Sequence, residues 1–149
     1  MIQRAGRCSL AVALAAGALL AGCGGDDEPD PKQEFITTAD EICALGTFEI
    51  GNQARNRYGQ PAPPPRESEE FSKEVVVPTL QSQVLERLRR LTPPAGDEQE
   101  LAALYDALER GIDTLRQNPE LLDEPGTGGA FDEANRLAQA YGFKQCGQG

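Results

Sequence analysis

The side chains able to do chemistry in this chain are mostly carboxylates. The sequence has 24 Asp and Glu residues and no His, so a general acid or base would have to be a carboxyl group. Two acid pairs have the residue types used in glycoside hydrolysis, Glu109 with Asp113 and Asp132 with Glu133. Such pairs in an acidic protein are normally a solvated helix face, and no Gly-x-Ser-x-Gly or phosphate-binding loop is present. We therefore expect no enzymatic activity and no cofactor or metal site.

Cysteine is the other reactive residue type, and Cys23 follows a distinctive N-terminal segment. Arg4 and Arg7 make the start basic, and residues 9–21 are uncharged and mostly small or aliphatic. A membrane-spanning helix needs about 20 apolar residues, whereas this stretch is shorter and is followed at once by Gly24-Gly25-Asp26. The pattern is typical of a cleaved export signal.

The tetrad Leu20-Ala21-Gly22-Cys23 resembles the lipobox of bacterial lipoprotein precursors. The resemblance implies that Cys23 receives a diacylglyceryl group with palmitate-like chains and that residues 1–22 are removed. The mature protein would then be anchored to the extracytoplasmic face of the cell membrane, because two acyl chains hold a protein on a bilayer durably. The alternative is an ordinary signal peptide with a chance Cys after it, which would give a secreted protein.

The mature chain is expected to be strongly acidic. The whole sequence has 14 Lys and Arg against 24 Asp and Glu, a net charge of −10. Loss of residues 1–22 removes Arg4 and Arg7 and no acid, which leaves 12 bases against 24 acids and a net charge of −12. Such a protein is repelled by nucleic acid and by anionic lipid head groups. We expect no nucleic-acid partner, and we expect the lipid on Cys23 to hold the protein at the membrane.

Residues 23–32 are predicted to be an acidic flexible tether. Between Cys23 and Lys32 they contain only Gly, Asp, Glu and Pro, with no apolar side chain to bury. A calcium site in this acidic run would need a central Gly and a distal Glu at fixed spacing, and neither is in register. The remaining residues, 33–149, are enough for one domain with a modest hydrophobic core.

Cys43 and Cys146 remain once Cys8 leaves with the signal and Cys23 is acylated. A disulfide between them would close a loop of about 100 residues and stabilise the fold by up to about 4.7 kcal/mol in the chain-entropy treatment. A redox-active thiol and a metal pair are the alternatives, but the chain has no Cys-x-x-Cys and no His. Because exported proteins are exposed to an oxidising environment, we favour a structural disulfide.

Apolar residues recur at helical spacing in four segments. The first starts either at Asp30-Pro31 or at a capping box in residues 38–41, and Gly46 and Gly51 each weaken it by about 1 kcal/mol. The second covers residues 67–91 and should kink at Pro78. The three valines before that proline could instead form a short strand.

The third segment has the most regular pattern. It begins with a capping box in which Asp97 is the cap and then has apolar residues at strict helical spacing, namely Leu101, Leu104, Leu108, Ile112 and Leu115. Residues 120–129 are predicted to be an irregular loop, and the fourth segment runs from Phe131 to Tyr141 with Gly142 as a left-handed C-cap. The predicted fold is all-α, an antiparallel four-helix bundle with a kinked second helix and one disulfide.

The mature part resembles small helical lipoproteins of high-GC Gram-positive bacteria. The resemblance rests on the lipobox, an Ile-Cys early in the first helix, a Val-Val-Val-Pro segment, a Leu-Thr-Pro-Pro-Ala-Gly-Asp-Glu turn and a Tyr-Gly-Phe-Lys-Gln-Cys-Gly tail. These motifs contain residues that cap a helix, a proline that kinks a helix and cysteines that can form a disulfide. They imply a fold and a location, and they supply no catalytic residue.

Three functions are compatible with these features. The sequence favours a non-enzymatic interaction module of the cell envelope that presents a helical surface to a protein partner. The alternative is a binding protein that holds a small apolar or cationic ligand between its helices, and a carboxylate-dependent hydrolase is the third. A cavity above roughly 300 Å³ would favour the ligand-binding protein, whereas a large exposed apolar patch would favour the interaction module. Two close, buried carboxylates would favour the hydrolase.

Overall fold

The structure is a computed structural model, and it describes residues 30–148. The lipobox Leu20-Ala21-Gly22-Cys23 and the tether up to residue 29 lie outside the described residues. The described part is helical and contains no strand. None of its helices is both long and apolar enough to cross a bilayer.

The first helix, α1, spans Pro31–Tyr58 and uses the earlier of the two predicted starts. The Asp30 carboxylate accepts a hydrogen bond from the backbone N–H of Lys32, and Pro31 occupies the first helical turn, where its missing N–H costs nothing. Residues 31 and 32, predicted as tether, are therefore helical. The helix ends at Gly59, whose φ of 73° is the left-handed conformation of a glycine C-cap.

The second helix, α2, runs without a break through residues 68–88 after a 3₁₀ turn at Pro65–Glu67. Two π-helical stretches, Ser72–Val76 and Leu80–Leu85, lie on either side of Val77–Thr79, which contains Pro78. The Val77 N–H bonds to the Ser72 carbonyl, five residues back. A proline ring clashes with the carbonyl four residues earlier, and the wider π turns around it keep the chain helical.

Two features of α2 differ from the sequence-based expectation. The three valines Val75, Val76 and Val77 are helical and buried, so the alternative of a short strand is wrong. Their side chains pack into the core from a helix, where tertiary burial outweighs their preference for strands. The helix also ends at Leu88, three residues earlier than predicted.

The third and fourth helices, α3 at Glu98–Gln117 and α4 at Asp132–Tyr141, lie where the periodicity predicted them. Gly142 follows α4 with a φ of 113° and is the predicted left-handed C-cap. The segment between the helices, predicted as an irregular loop, contains a 3₁₀ turn at Pro119–Asp123, followed by a turn at Pro125–Gly129 whose inner residues have positive φ and are not helical.

One predicted capping bond is absent. Asp97 is the N-cap residue of α3, as predicted, but its side chain makes no capping bond to the helix. Its carboxylate accepts a hydrogen bond of 2.7 Å from the Tyr141 hydroxyl and lies 3.3 Å from the Lys32 ammonium group. Those contacts come from α4 and α1, and they hold the carboxylate away from the helix start. The Tyr141 hydrogen bond, followed by the Lys32 charge, keeps the pKa of Asp97 below its usual value.

All four helices contribute to one hydrophobic core. Helix α2 packs against both α1 and α3, and α3 packs against α4. The most deeply buried side chains are Ala39 and Ala54 from α1, Phe71, Leu85 and Leu88 from α2, Leu101, Ile112 and Leu115 from α3, and Ala138 from α4. Leu108, which belongs to the predicted apolar stripe of α3, is only partly buried, and so is Leu80 of α2. Thr47 of α1 is exposed.

Candidate functional site

An apolar cleft of about 400 Å³ opens where the core is incomplete. Its walls are part of α1, the middle of α2, the first half of α3, the connection between α3 and α4, the start of α4 and the C-terminal tail. Its apolar lining consists of Leu80, Val84, Leu88, Leu104, Leu108, Leu122, Phe131, Ala134 and the Cys43 and Cys146 pair. Its polar lining consists of Thr47, Glu124, Thr127, Asn135, Gln145 and Gln148. The partial burial of Leu80 and Leu108 is thus explained, since both face this space.

One wall depends on a close contact between α1 and α2. Gly46 of α1 lies so near Val84 that an added Cβ would overlap the Val84 Cγ2 methyl group. The absence of a side chain at Gly46 therefore allows the two helices to approach. Cys43, about one turn before it, and Thr47, the next residue, reach the cleft from α1.

A second wall is a rigid turn before α4. Gly126, Thr127 and Gly128 have φ values of 59°, 52° and 61°, and Thr127 is the one non-glycine with positive φ among residues 30–148. A β-branched residue in this conformation is strained by about 1–3 kcal/mol and persists where its surroundings impose it. At Gly128 an added Cβ would lie 2.7 Å from Leu121 Cδ2, so the turn packs tightly on its neighbour.

The C-terminal tail forms the third wall and is held by three kinds of contact. The Cys43 and Cys146 sulfurs lie at disulfide distance, 2.06 Å, as the cysteine count predicts. The Asp40 carboxylate accepts backbone N–H bonds from Lys144, Gln145 and Cys146 at 2.8–3.2 Å. In α4, Gln139 Nε2 donates to the Gly147 carbonyl at 2.7 Å.

The role of Asp40 in holding the tail differs from what the sequence suggested. Its neighbours Thr38 and Glu41 suggested a capping box, but Thr38 lies inside α1 and its hydroxyl donates to the Glu34 carbonyl. The acceptor role of Asp40 depends on the tail, which is more than 100 residues away in the chain. An Asp three residues before a predicted disulfide cysteine is the one signal that could have pointed to it.

Charge is nearly absent from the cleft. Among the described residues that line it, Glu124 is the one ionisable side chain, and no Lys or Arg is present. No ion pair or side-chain hydrogen bond involves Glu124 within residues 30–148. Its main chain is fixed, because its N–H bonds to the Leu121 carbonyl and its carbonyl accepts from the Thr127 N–H.

The four carboxylates nominated for hydrolysis lie outside this cleft, and three of them are paired with arginine. Glu109 accepts two bonds from Arg89, at 2.9 and 3.3 Å, and this pair lowers the pKa of Glu109. Glu133 forms two bonds of 2.8 Å with Arg136, which likewise lower its pKa.

Asp113 pairs with Arg116 on the same helix, and Asp132 is exposed. None of these four acids, Glu109, Asp113, Asp132 or Glu133, is among the buried residues described between 30 and 148. The arrangement provides no close pair of buried carboxylates in this part of the chain.

A second groove, of about 570 Å³ but shallower and less apolar than the cleft, lies between α1 and α2 on another face. Leu45 and Phe48 are the large apolar side chains exposed there, with exposed fractions of 53% and 62%. They border a shallow groove that also includes Pro78 and Arg87. Two side chains are far from the contiguous patch of several hundred Å² that marks an extended interface.

Two buried hydroxyl groups lack a hydrogen-bond partner, those of Ser72 in α2 and Tyr105 in α3. Burial raises the pKa of Tyr105 to about 12 because the phenolate would lose its hydration. Neither residue lines the cleft. They are therefore features of the core.

No cluster of three or more His, Cys, Asp or Glu side chains suited to a metal ion occurs in the described residues. Comparison with family models, curated proteins and solved structures gives no match to this chain.

Proposed function

We propose that this protein is a lipid-anchored, extracytoplasmic binding protein for a small apolar ligand, which it holds in the cleft between α2, α3, α4 and the tail. The observation that carries the proposal is the cleft itself. Its volume of about 400 Å³ lies within the range of about 300–1,000 Å³ that is usual for small-molecule sites. An apolar body with a few polar groups at the edge is also the usual lining of such sites.

The walls are well suited to a preformed site. Helices supply most of the apolar lining, and the disulfide and the Asp40 contacts fix the tail at one end. A site whose walls are already ordered loses little conformational entropy when it binds a ligand. This supports ligand binding over the interaction module that the sequence favoured.

The proposal includes a four-helix bundle with antiparallel neighbours and a bend in α2 at Pro78. Short connections support it: residues 59–67 join α1 to α2, and residues 89–97 join α2 to α3. Helices linked by connections of this length usually pack as antiparallel neighbours.

The membrane anchor rests on the resemblance of Leu20-Ala21-Gly22-Cys23 to a lipobox. Its test is Cys23→Ser in the full precursor, followed by cell fractionation. We expect the protein to move from the membrane fraction to the soluble extracytoplasmic fraction. If the Cys23→Ser protein stays with the membrane as before, the anchor is not on this sulfur.

Ligand binding can be tested with a neutral, environment-sensitive apolar dye on the mature chain carrying Cys23→Ser, which needs no detergent. Leu108→Trp places a large side chain in the cleft, and Leu45→Trp makes the same change at the exposed groove between α1 and α2. We expect saturable dye binding that Leu108→Trp weakens at least tenfold and that Leu45→Trp leaves unchanged. Circular dichroism and urea unfolding check that both variants are folded.

The opposite pattern would support a second candidate function. Leu45 and Phe48 are the specific observation in favour of an interaction module, because exposed large apolar side chains often contact partners. If dye binding depends on Leu45 and not on Leu108, the ligand-binding proposal fails. Crosslinking of the lipidated protein in its native membrane would then test for an envelope partner captured through Phe48.

A further inference from the structure

We infer that the cleft prefers a ligand with an apolar body and a cationic, ammonium-type head group, and that Glu124 recognises the head. This inference rests on the proposed function and names the ligand class for the same site. It excludes fatty acids and phosphorylated lipids as preferred ligands.

The charge of the residues that line the cleft favours a cationic head group. Glu124 is the one ionisable residue among the described residues of the cleft, and Lys and Arg are missing from that set. A carboxylate or phosphate head would therefore find no positive partner there. An ammonium head would find a carboxylate and several amide and hydroxyl oxygens, which are acceptors for its N–H groups.

The charge of Glu124 is not compensated by a base. No ion pair within residues 30–148 involves Glu124, so its charge is available to a ligand. Glu120, in the same connection, is also exposed and unpaired, but of these two acids Glu124 is the one that lines the cleft.

The main chain of Glu124 is fixed in position. Both its N–H and its carbonyl are hydrogen-bonded, at 3.1 Å to Leu121 and at 2.9 Å to Thr127. The strained turn at Thr127 follows directly and places a hydroxyl-bearing residue in the same lining. The main chain therefore need not rearrange when the exposed Glu124 side chain contacts a head group.

The net negative charge of the chain also favours a cationic ligand. With 24 acids against 14 bases the protein attracts cations and repels anions at long range. The long-range effect is screened by salt within about 10 Å at 0.1 M ionic strength, whereas a contact at Glu124 is screened much less. Salt therefore separates the two contributions.

The test compares three probes of equal chain length, decylammonium, decanol and decanoate, on the mature chain with Cys23→Ser. An exposed charge contact changes affinity by up to about fivefold in either direction, so we expect decylammonium to bind about tenfold more tightly than decanoate. Decanol should fall between them. The order should persist at 0.5 M salt.

Glu124→Gln should weaken decylammonium about threefold, strengthen decanoate and leave decanol unchanged. Glu120→Gln is the matched control, because Glu120 is an exposed acid of the same connection that does not line the cleft. If Glu120→Gln has the same effect as Glu124→Gln, the preference comes from net charge and the inference is overturned.

The three probes distinguish a wrong ligand preference from a cleft that binds no apolar ligand. If decanol binds and the three probes do not differ in affinity, the inference is overturned while ligand binding stands. If decanoate binds most tightly, the inference is likewise overturned. If none of the probes binds, the proposed function fails, and the inference fails with it.

Discussion

The substitution Gly46→Ala, compared with Gly51→Ala, tests how closely α1 and α2 approach each other. In the middle of a helix, Gly→Ala normally stabilises by about 1 kcal/mol, because alanine loses less conformational entropy. Gly51, five residues further along α1, should show this gain, since a Cβ there would meet only the flexible Arg55 guanidinium group at 3.5 Å. We expect Gly51→Ala to raise the free energy of unfolding by up to about 1 kcal/mol.

Gly46→Ala should behave in the opposite way. The added Cβ overlaps Val84 Cγ2, and a β-branched side chain has little rotamer freedom in a helix with which to move aside. Overpacking of this kind costs about 1–3 kcal/mol, which exceeds the gain in helix propensity. We expect a net loss of about 1 kcal/mol, and a difference of about 2 kcal/mol from Gly51→Ala.

Urea unfolding under oxidising conditions measures the difference. With a slope of about 1–2 kcal/mol/M, the two variants should have midpoints separated by about 1–2 M urea. The double variant Gly46→Ala with Val84→Ala should recover the overlap cost, giving a coupling energy of about 1–3 kcal/mol in a double-mutant cycle. If Gly46→Ala stabilises the protein as much as Gly51→Ala, the close approach of the helices is refuted.

Three further predictions concern the tail, the core and the helix junction. Replacing Cys43 and Cys146 by Ser should lower the free energy of unfolding by up to about 4.7 kcal/mol, measured in urea, because the disulfide closes a loop with a sequence separation of 103. Tyr105→Phe should raise the free energy of unfolding by about 1 kcal/mol, since it removes a buried hydroxyl without a partner. The wild-type protein should lose stability as pH rises from about 10 towards 12, because folding raises the pKa of Tyr105 to about 12, and Tyr105→Phe should abolish this part of the loss. Asp97→Asn should reduce stability at neutral pH and flatten the loss of stability in acid, because the folded-state pKa of Asp97 is lowered by Tyr141 and its contribution disappears as pH falls through that value. Equal acid profiles for Asp97→Asn and wild type would contradict the last prediction.

The helices with strong periodicity could be predicted from the sequence. In α3 the apolar residues follow a strict three- and four-residue spacing from Leu101 to Leu115, and tertiary contacts add to this local preference. The start of α1 could not be decided in this way, because both candidate caps satisfy the local rules. In the structure Lys32 contacts Asp97 and Tyr141, and these long-range contacts favour the earlier start.

The π turns of α2 could not be predicted from the pattern. Periodicity analysis assumes 3.6 residues per turn throughout, and Pro78 suggested a kink. The structure has two wider stretches around this proline, Ser72–Val76 and Leu80–Leu85. Whether a helix widens in this way depends on the neighbouring helices, and the sequence pattern of one segment does not contain that information.

The cleft was missed because each apolar stripe was assigned to the core. Leu80 and Leu108 have the correct spacing for burial, yet the helices do not fill the space between them. A stripe indicates which side of a helix faces inward, and it does not indicate how well the opposing side chains fill the interior. The disulfide at its edge was predicted on the expectation that Cys8 is removed and Cys23 acylated, which left Cys43 and Cys146 to pair.

The position of Gln148 in the wall of the cleft has a practical consequence for protein production. A purification tag fused after Gly149 would begin one residue beyond that wall, where it could enter the apolar space and imitate a bound compound. Residues 60–62, exposed in the α1 to α2 connection and absent from the lining, are the safer place for a tag or a fluorophore.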